Sequence, residues 1–401
     1  MLPPLLSNLT LEEYRGQVAL VRVDFNVPLH QGQVQDNTRI LSSLPTLDAL
    51  LEQGITIVLM SHLGRPKSGY EPDLCLAPVM QAAADLLKRP ITLLEEPLSE
   101  GAGPVVRQAE AGSVFYIENI RFFEEETQND DAFSKALARL ADFFVMDAFG
   151  ASHRAHASTV GLTQYLPSVA GLLFEQEIKE LSSVLKEPKR PFMAIIGGSK
   201  ISTKFALLRA LLGKVDTLLI GGAMSYTLLK AQGFHVGASM VEDDLLDEAK
   251  RFLQEAKSSA TAVMLPADHK IADAFRADAK TNCVEGDIPE AWMGLDIGEK
   301  SIEKAIEAIS KAGFIFWNGP VGVFEMKAFE AGTMAIANAI SDSKGYSLVG
   351  GGDSVSALKQ AGCEAGINFI SSGGGASLAF LEGKGLPALE ALQKERVSNG
   401  S

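Results

Sequence analysis

Met193-Ala-Ile-Ile-Gly-Gly-Ser-Lys-Ile-Ser-Thr-Lys204 runs from a short apolar stretch straight into two glycines, a serine and a lysine. It then enters the helical pattern of Lys204–Leu212. A strand that ends in glycine and opens a helix is the repeating unit of a parallel α/β sheet. The layout recurs along the chain. Apolar runs stand at Val18–Val23, Ile55–Met60, Val114–Ile117, Phe143–Met146, Thr217–Ile220, Ala262–Leu265, Phe314–Trp317, Tyr346–Val349 and Phe369–Ile370. Helical patterns such as Asp243–Ala256 and Ser301–Lys311 lie between them. Near-continuous apolar strands fit sheets covered by helices on both faces.

At 401 residues the chain is too long for one ordinary core, so two domains are expected. No apolar run reaches the roughly 18 residues of a membrane span. The start, Met1-Leu-Pro-Pro-Leu-Leu-Ser7, lacks the basic region and long apolar stretch of a secretory signal. A cytoplasmic protein with no membrane partner is expected. Cys75, Cys283 and Cys363 are odd in number and widely spaced, which suits reduced thiols rather than disulfides or a zinc site. The net charge of −14 argues against nucleic acid as a partner, because that binding depends on Lys and Arg neutralising phosphates. A small anion needs only a local basic pocket.

Most of the strands run into polar or glycine clusters. These include Asp24-Phe-Asn26, Ser61-His62, Glu118-Asn119, Asp147, Gly197-Gly198, Gly221-Gly222, Asn318-Gly319, Gly351-Gly352-Asp353 and Gly373-Gly374-Gly375. Open α/β sheets bind ligands outside the carboxyl ends of their strands. Any single cluster is equally an ordinary β-to-α turn, but repetition of the chemistry points to a large ligand face. The clusters carry Arg and His before about residue 160 and Gly after about residue 190. Lys186-Glu-Pro-Lys-Arg-Pro191 lies between, so the junction is expected near residues 170–190.

In the first half, Arg39, His62, Arg65, Arg121 and Arg154 lie at strand ends or in loops. Arginine forks pair with carboxylate and phosphate, so their convergence would suit a small ligand with several negative charges. Asp24 and Asn26 are placed to hydrogen-bond hydroxyls of the same ligand. His153 and His156 flank Arg154, with structural hydrogen bonding expected for both.

In the second half, Lys200 and Lys204 are four apart and are expected to share one helix face, where a bound phosphate would reconcile them with the helix dipole. Ser371-Ser-Gly-Gly-Gly-Ala376 offers bare backbone to a phosphate. Asp353, in Gly350-Gly-Gly-Asp-Ser354, is the candidate ligand for Mg2+ accompanying a nucleotide. There is no G-x-x-x-x-G-K-[ST] and no G-x-G-x-x-G, which excludes an ordinary P-loop NTPase and an ordinary dinucleotide dehydrogenase.

These motifs together resemble the phosphoglycerate kinase family over essentially the whole chain. The resemblance rests on Arg22-Val-Asp-Phe-Asn-Val-Pro28, Asp36-Asn-Thr-Arg-Ile40, Ser61-His-Leu-Gly-Arg-Pro66, Glu118-Asn-Ile-Arg-Phe122 and Asp147-Ala-Phe-Gly150 with His153-Arg-Ala-His156. In the second half it rests on Gly197-Gly-Ser-Lys200, Trp317-Asn-Gly-Pro-Val-Gly-Val-Phe-Glu325, Gly351-Gly-Asp-Ser354 and Gly373-Gly-Gly-Ala-Ser377. Departures are Met146 for a usual Asn, Ala223 for a common Gly, Ser199 for a common Ala and Ser372 for a common Thr.

The resemblance implies two Rossmann-like lobes, each a parallel-sheet three-layer α/β/α domain, joined by a hinge helix. The expected division is 1–170 for the N-terminal lobe, 171–190 for the hinge, 191–377 for the C-terminal lobe and 378–401 for a tail returning to the first lobe. It implies 3-phosphoglycerate or 1,3-bisphosphoglycerate on Asp24, Asn26, Arg39, His62, Arg65, Arg121 and Arg154. It implies ADP or ATP with Mg2+ on Lys204, Glu325, Gly351, Gly352, Asp353 and Ser354, with Asp353 on the metal. Charge on the transferring group falls to Arg39, Lys200, Lys204 and the backbone of Gly374 and Gly375. The family implies a monomer. Two alternatives stay open: a non-catalytic nucleotide-binding homologue, and a kinase of a different acyl phosphate.

Overall fold

The computed structural model describes residues 2–67, 69–186 and 188–394. Part of the expected tail (395–401) and residue 187 of the expected hinge lie outside the described residues. The chain divides into two compact units. Among the described residues, the first holds those up to Lys179 together with Gly385–Lys394, and the second runs from Glu180 to Lys384.

The first unit is built on a six-stranded, wholly parallel sheet: β1 (Val18–Arg22), β2 (Thr56–Met60), β3 (Ile91–Leu93), β4 (Val114–Tyr116), β5 (Phe143–Met146) and β6 (Ser168–Ala170), in the order β3-β4-β2-β1-β5-β6. All residues of β1, β2 and β5 are buried, which is why they read as unbroken apolar runs rather than as alternation. Ala19, Val21, Val23, Ile57 and Leu59 form one core with Ile40, Leu47 and Leu50 of helix α1 (Thr38–Glu52). Each large aliphatic buried here contributes roughly 1.5–3 kcal/mol.

The second unit repeats the plan. Its sheet comprises β7 (Phe192–Ile196), β8 (Thr217–Ile220), β9 (Ala262–Met264), β13 (Phe314–Asn318), β14 (Tyr346–Gly350) and β15 (Phe369–Ser371). They are parallel in the order β9-β8-β7-β13-β14-β15. A separate antiparallel sheet of β10 (Asp268–Ala272), β11 (Thr281–Glu285) and β12 (Met293–Ile297) was not foreseen. Its strands carry Asp268, His269, Lys270, Asn282 and Glu285 among the apolar residues, which hides them from a search for apolar runs.

Helix α2 (Leu172–Leu185) begins in the first unit and ends in the second. Asp147, the residue after β5, takes its start: Asp147 Oδ1 accepts from Leu173 N at 3.0 Å and from Thr46 Oγ1 at 2.9 Å. Further along, Glu180 Oε2 accepts from the Tyr346 hydroxyl at 2.6 Å. On the return, helix α5 (Gly375–Leu381) packs on α3 (Phe205–Leu211), so residues 378–384 sit in the second unit rather than with the returning tail. Helix α6 (Pro387–Gln393) lies in the first, where Ala388 N donates to Ser152 O at 3.1 Å.

Candidate functional site

In the first sheet the winding reverses between β1 and β5, and the crevice at such a reversal is where open α/β sheets take ligands. The buried Asn119 amide organises the loops there. Its Nδ2 donates to Leu63 O at 2.8 Å and Leu74 O at 2.9 Å, and its Oδ1 accepts from Arg121 N at 3.2 Å. Gly64 N donates to Asn26 Oδ1 at 2.9 Å, and Arg121 Nη1 donates to Gly64 O at 2.6 Å. Asn26, Arg121 and the segment carrying Arg65 are thereby tied together. Arg39, in the first turn of α1, donates to Asp24 Oδ2 at 2.6 Å. Asp24 Oδ1 is buried and has no partner. Arg65, Arg121 and Arg154 line one cleft of about 500 Å³ with Lys67 and His156.

The electrostatics are those of a site short of negative charge. Burial, then Arg154 and Arg22, push Arg121 down to about 10. Burial, then Arg22, Arg121, Arg39 and Arg154, hold His62 well below the usual histidine range. His62 is therefore neutral at physiological pH, and the 3.8 Å separation between its Nδ1 and Asp24 Oδ1 is a near approach rather than an ion pair. Arg65, Arg121 and Arg154 share the cleft, while Asp24, Asn26, Arg39 and His62 lie outside its lining and are linked to it through the contacts above. His153 and His156 make local contacts: His153 Nε2 accepts from Arg154 Nε at 3.1 Å, and His156 Nδ1 stands 3.5 Å from Glu126 Oε1. The sequence reading passed over Arg22, which lies fully buried at the end of β1.

In the second sheet the winding reverses between β7 and β13. The loops after these strands touch backbone to backbone. A Cβ on Gly197 would lie 2.0 Å from Pro320 O, and one on Gly319 would lie 2.3 Å from Gly197 O. Gly319 N donates to Ser354 Oγ at 2.6 Å, in the first turn of α4 (Gly352–Ala361), which follows Gly351. Asn318 Nδ2 donates to Gly350 O at 2.8 Å, and Asn318 Oδ1 accepts from the ammonium of Lys204. Burial lowers the Lys204 pKa against the opposing pull of Asp353 and Glu382. Beside this framework opens a cavity of about 700 Å³. Ala223, Tyr226, Met293, Leu295 and Val321 give it apolar walls, while Ser199, Glu325 and Asp353 supply polar groups.

The structure corrects one expectation. Lys200 and Lys204 do not share a helix face. Residues Ile201–Thr203 form a 3₁₀ turn, Lys200 before it is extended, and α3 begins only at Phe205. Lys204 is half-buried against Asn318, whereas Lys200 is exposed and acts on Glu242, which accepts from Ser202 N and Oγ at 3.0 and 2.6 Å. Gly374 and Gly375 stand at the start of α5, outside the lining of the cavity. Among the described residues no group of three or more His, Cys, Asp or Glu side chains could hold a metal. One exposed carboxylate, Asp353, suits a magnesium ion that arrives with nucleotide phosphates and keeps much of its water.

Comparison with known proteins agrees with this geometry. The family model described as phosphoglycerate kinase matches residues 9–384. A phosphoglycerate kinase of Leptospira biflexa is 48% identical over 390 residues, covering 97% of this chain and 98% of the relative. That of Thermosipho africanus is 45% identical over 402 residues, covering 98% and 100%. The solved phosphoglycerate kinase of Coxiella burnetii superposes with a TM-score of 0.87 at 38% identity, covering 97% of this chain and 98% of the other. That of Pyrococcus horikoshii gives 0.85 at 29% identity with the same coverage.

Proposed function

The chain belongs to the phosphoglycerate kinase family, and on that premise we propose how its two crevices divide the reaction. The protein is a phosphotransferase: it moves a phosphoryl group reversibly from 1,3-bisphosphoglycerate to ADP, giving 3-phosphoglycerate and ATP, a step of glycolysis. The observation that carries the assignment is the opposite chemistry of the two strand-reversal crevices. One is ringed by guanidinium groups, the other has apolar walls and glycine-rich ends.

The first crevice holds the phosphoglycerate. Arg39, Arg65, Arg121 and Arg154 match its carboxylate and phosphate with planar forks. The neutral His62 and Asn26 add uncharged hydrogen bonds. Asp24 Oδ1, buried without a partner, accepts from the ligand hydroxyl. The second crevice holds the nucleotide, with the base between apolar walls and Glu325 at the ribose. Lys204 and the Gly351–Ser354 loop take the phosphates, and Asp353 takes the magnesium that comes with them. That magnesium, when bound, neutralises phosphate charge.

Phosphoryl transfer asks a protein for position and charge more than for covalent chemistry. Arg39, Lys200, Lys204 and the backbone N–H groups of Gly374 and Gly375 stabilise the transferring group. The attacking oxygen is already ionised, so no general base is needed. Reacting atoms must come within about 3–3.5 Å. With the two ligands carried by different units, closure about residues 171–190 precedes transfer and excludes water. The residues assigned to both crevices lie in one chain, which supports action as a monomer, and a glycolytic substrate supports a cytoplasmic location. Arg39, Lys200, Lys204 and Asp353 are all present, which disfavours a non-catalytic homologue. The cluster of arginines suits a ligand with both a carboxylate and a phosphate, which disfavours a different acyl phosphate.

The test is Lys200→Met in steady state. A transition-state role lowers kcat by two orders of magnitude or more with KM little changed. A raised KM at unchanged kcat would remove Lys200 from that role.

A further inference from the structure

Arg22 is the last residue of β1, yet it faces away from the core that Val21 and Val23 build. Its guanidinium is wholly buried and every arm is engaged. Nε donates to Ser158 Oγ at 2.8 Å, Nη1 to Val23 O at 2.5 Å and Nη2 to His62 Nδ1 at 3.2 Å. Behind it, Ser158 Oγ donates to Glu126 Oε1 at 2.6 Å and Ser158 N to Glu126 Oε2 at 2.9 Å. Glu126 is itself fully buried, and its carboxylate balances the Arg22 charge. A continuous chain thus runs Glu126–Ser158–Arg22–His62.

The direction of the last link is fixed by chemistry. A guanidinium has donors and no acceptor, so His62 Nδ1 can only accept. An imidazole that accepts at Nδ1 carries its proton at Nε2. The geometry points to Arg22 as a positioning residue for the phosphoglycerate reaction: anchored by Ser158 and Glu126, it locks His62 as a neutral ring with Nε2–H as its donor. The groups facing His62 agree. Arg22 on β1, Arg39 on α1, Arg121 on the turn after β4 and Arg154 all disfavour a second proton. Asp24 Oδ1 is 3.8 Å from Nδ1, too far to compete with the bond from Arg22. His62 therefore recognises its ligand by a directed hydrogen bond rather than by charge. That part rests on the assignment of His62 to the phosphoglycerate site.

The test is nitrogen NMR of uniformly labelled full-length protein, with His62 assigned by loss of its signals in His62→Gln. The expected result is an unprotonated Nδ1 and a protonated Nε2, unchanged from pH 8 to pH 5.5. A proton on Nδ1, or a titration near pH 6.5, would overturn the lock. Arg22→Lys keeps the charge but loses the fork, and Ser158→Ala frees the guanidinium to turn toward Glu126. Both are expected to release the tautomer, so that the proton appears on Nδ1 as well as Nε2, while the ring stays neutral because burial and the remaining arginines still disfavour a second proton. Both variants should raise KM for 3-phosphoglycerate about tenfold, the loss of one charge-assisted bond, with kcat and nucleotide KM within about threefold. Should both misfold, the wild-type spectrum alone decides. Addition of 3-phosphoglycerate should shift the His62 Nε2 signal. An unmoved signal with the tautomer intact would overturn the site assignment and leave the lock standing, so the two failures are distinguishable.

Discussion

Replacing Asp147 by Asn should stabilise the first unit at high pH and not at low pH. Asp147 is completely buried, and burial pushes its pKa up to about 7 against the pull of its hydrogen bonds to Thr46, Phe174 and Leu173. The buried Ser43 hydroxyl, which shares α1 with Thr46, pulls the same way. An unfolded aspartate titrates near 3.9. Between these values the folded state keeps a proton that the unfolded state has released, so stability falls as pH rises and levels off above about 7. A gap of about three pH units, each worth about 1.4 kcal/mol, gives roughly 4 kcal/mol in full and about 3 kcal/mol between pH 5 and pH 8. Asn keeps the acceptor at Oδ1, turns an NH₂ toward the Ser43 hydroxyl, and does not titrate. Relative to wild type, Asp147→Asn should therefore gain about 3 kcal/mol on going from pH 5 to pH 8. Both tryptophans, Trp292 and Trp317, lie in the second unit, so their fluorescence reports the wrong half. Hydrogen exchange of first-unit core amides such as Val21 and Val58 gives the stability directly. A difference constant with pH to within about 0.5 kcal/mol would show that Asp147 does not hold a proton in the folded state.

Two further predictions concern the loops that build the crevices. Gly222 has φ +70°, and a Cβ there would meet Gly198 O at 2.5 Å, so Gly222→Ala should cost roughly 1–3 kcal/mol and raise nucleotide KM with phosphoglycerate KM unchanged. Thermal unfolding and steady-state kinetics check both parts. Asn119→Ala should cost roughly 2–4 kcal/mol, because it strips buried partners from Leu63, Leu74 and Arg121, and should raise KM for 3-phosphoglycerate with nucleotide KM unchanged. An Asn119→Ala protein of wild-type stability would show that these loops hold themselves.

The parallel architecture was legible because strands buried on both faces cannot alternate: Val18–Arg22, Thr56–Met60 and Phe192–Ile196 announce themselves as apolar runs. Their polar ends were legible too, since a carboxyl-end crevice needs Asp, Asn, His and Gly where the ladder stops. Strand order was not, because it depends on pairings between distant residues such as Val18 with Thr56. The antiparallel sheet escaped for another reason. It is held by a small cluster around Tyr226, Val236, Ile271 and Ile288, and the strand Thr281–Glu285 is largely exposed. The spacing of Lys200 and Lys204 misled because a 3₁₀ turn stands where an α-helix was read. Arg22 was invisible as a functional residue because a cation inside an apolar run reads as a strand position. Only the fold discloses Ser158, 136 residues away, as its partner.

The division of labour between the two crevices is tested most directly by a coupled assay. Wild type, Arg121→Ala and Asp353→Asn would be run with 3-phosphoglycerate and Mg-ATP, following 1,3-bisphosphoglycerate by NADH oxidation through glyceraldehyde-phosphate dehydrogenase. Rapid wild-type turnover is expected, with a KM for 3-phosphoglycerate raised at least tenfold in Arg121→Ala at unchanged nucleotide KM, and the reverse pattern in Asp353→Asn. Both KM values rising together in either variant, or a folded wild type without turnover, would contradict it.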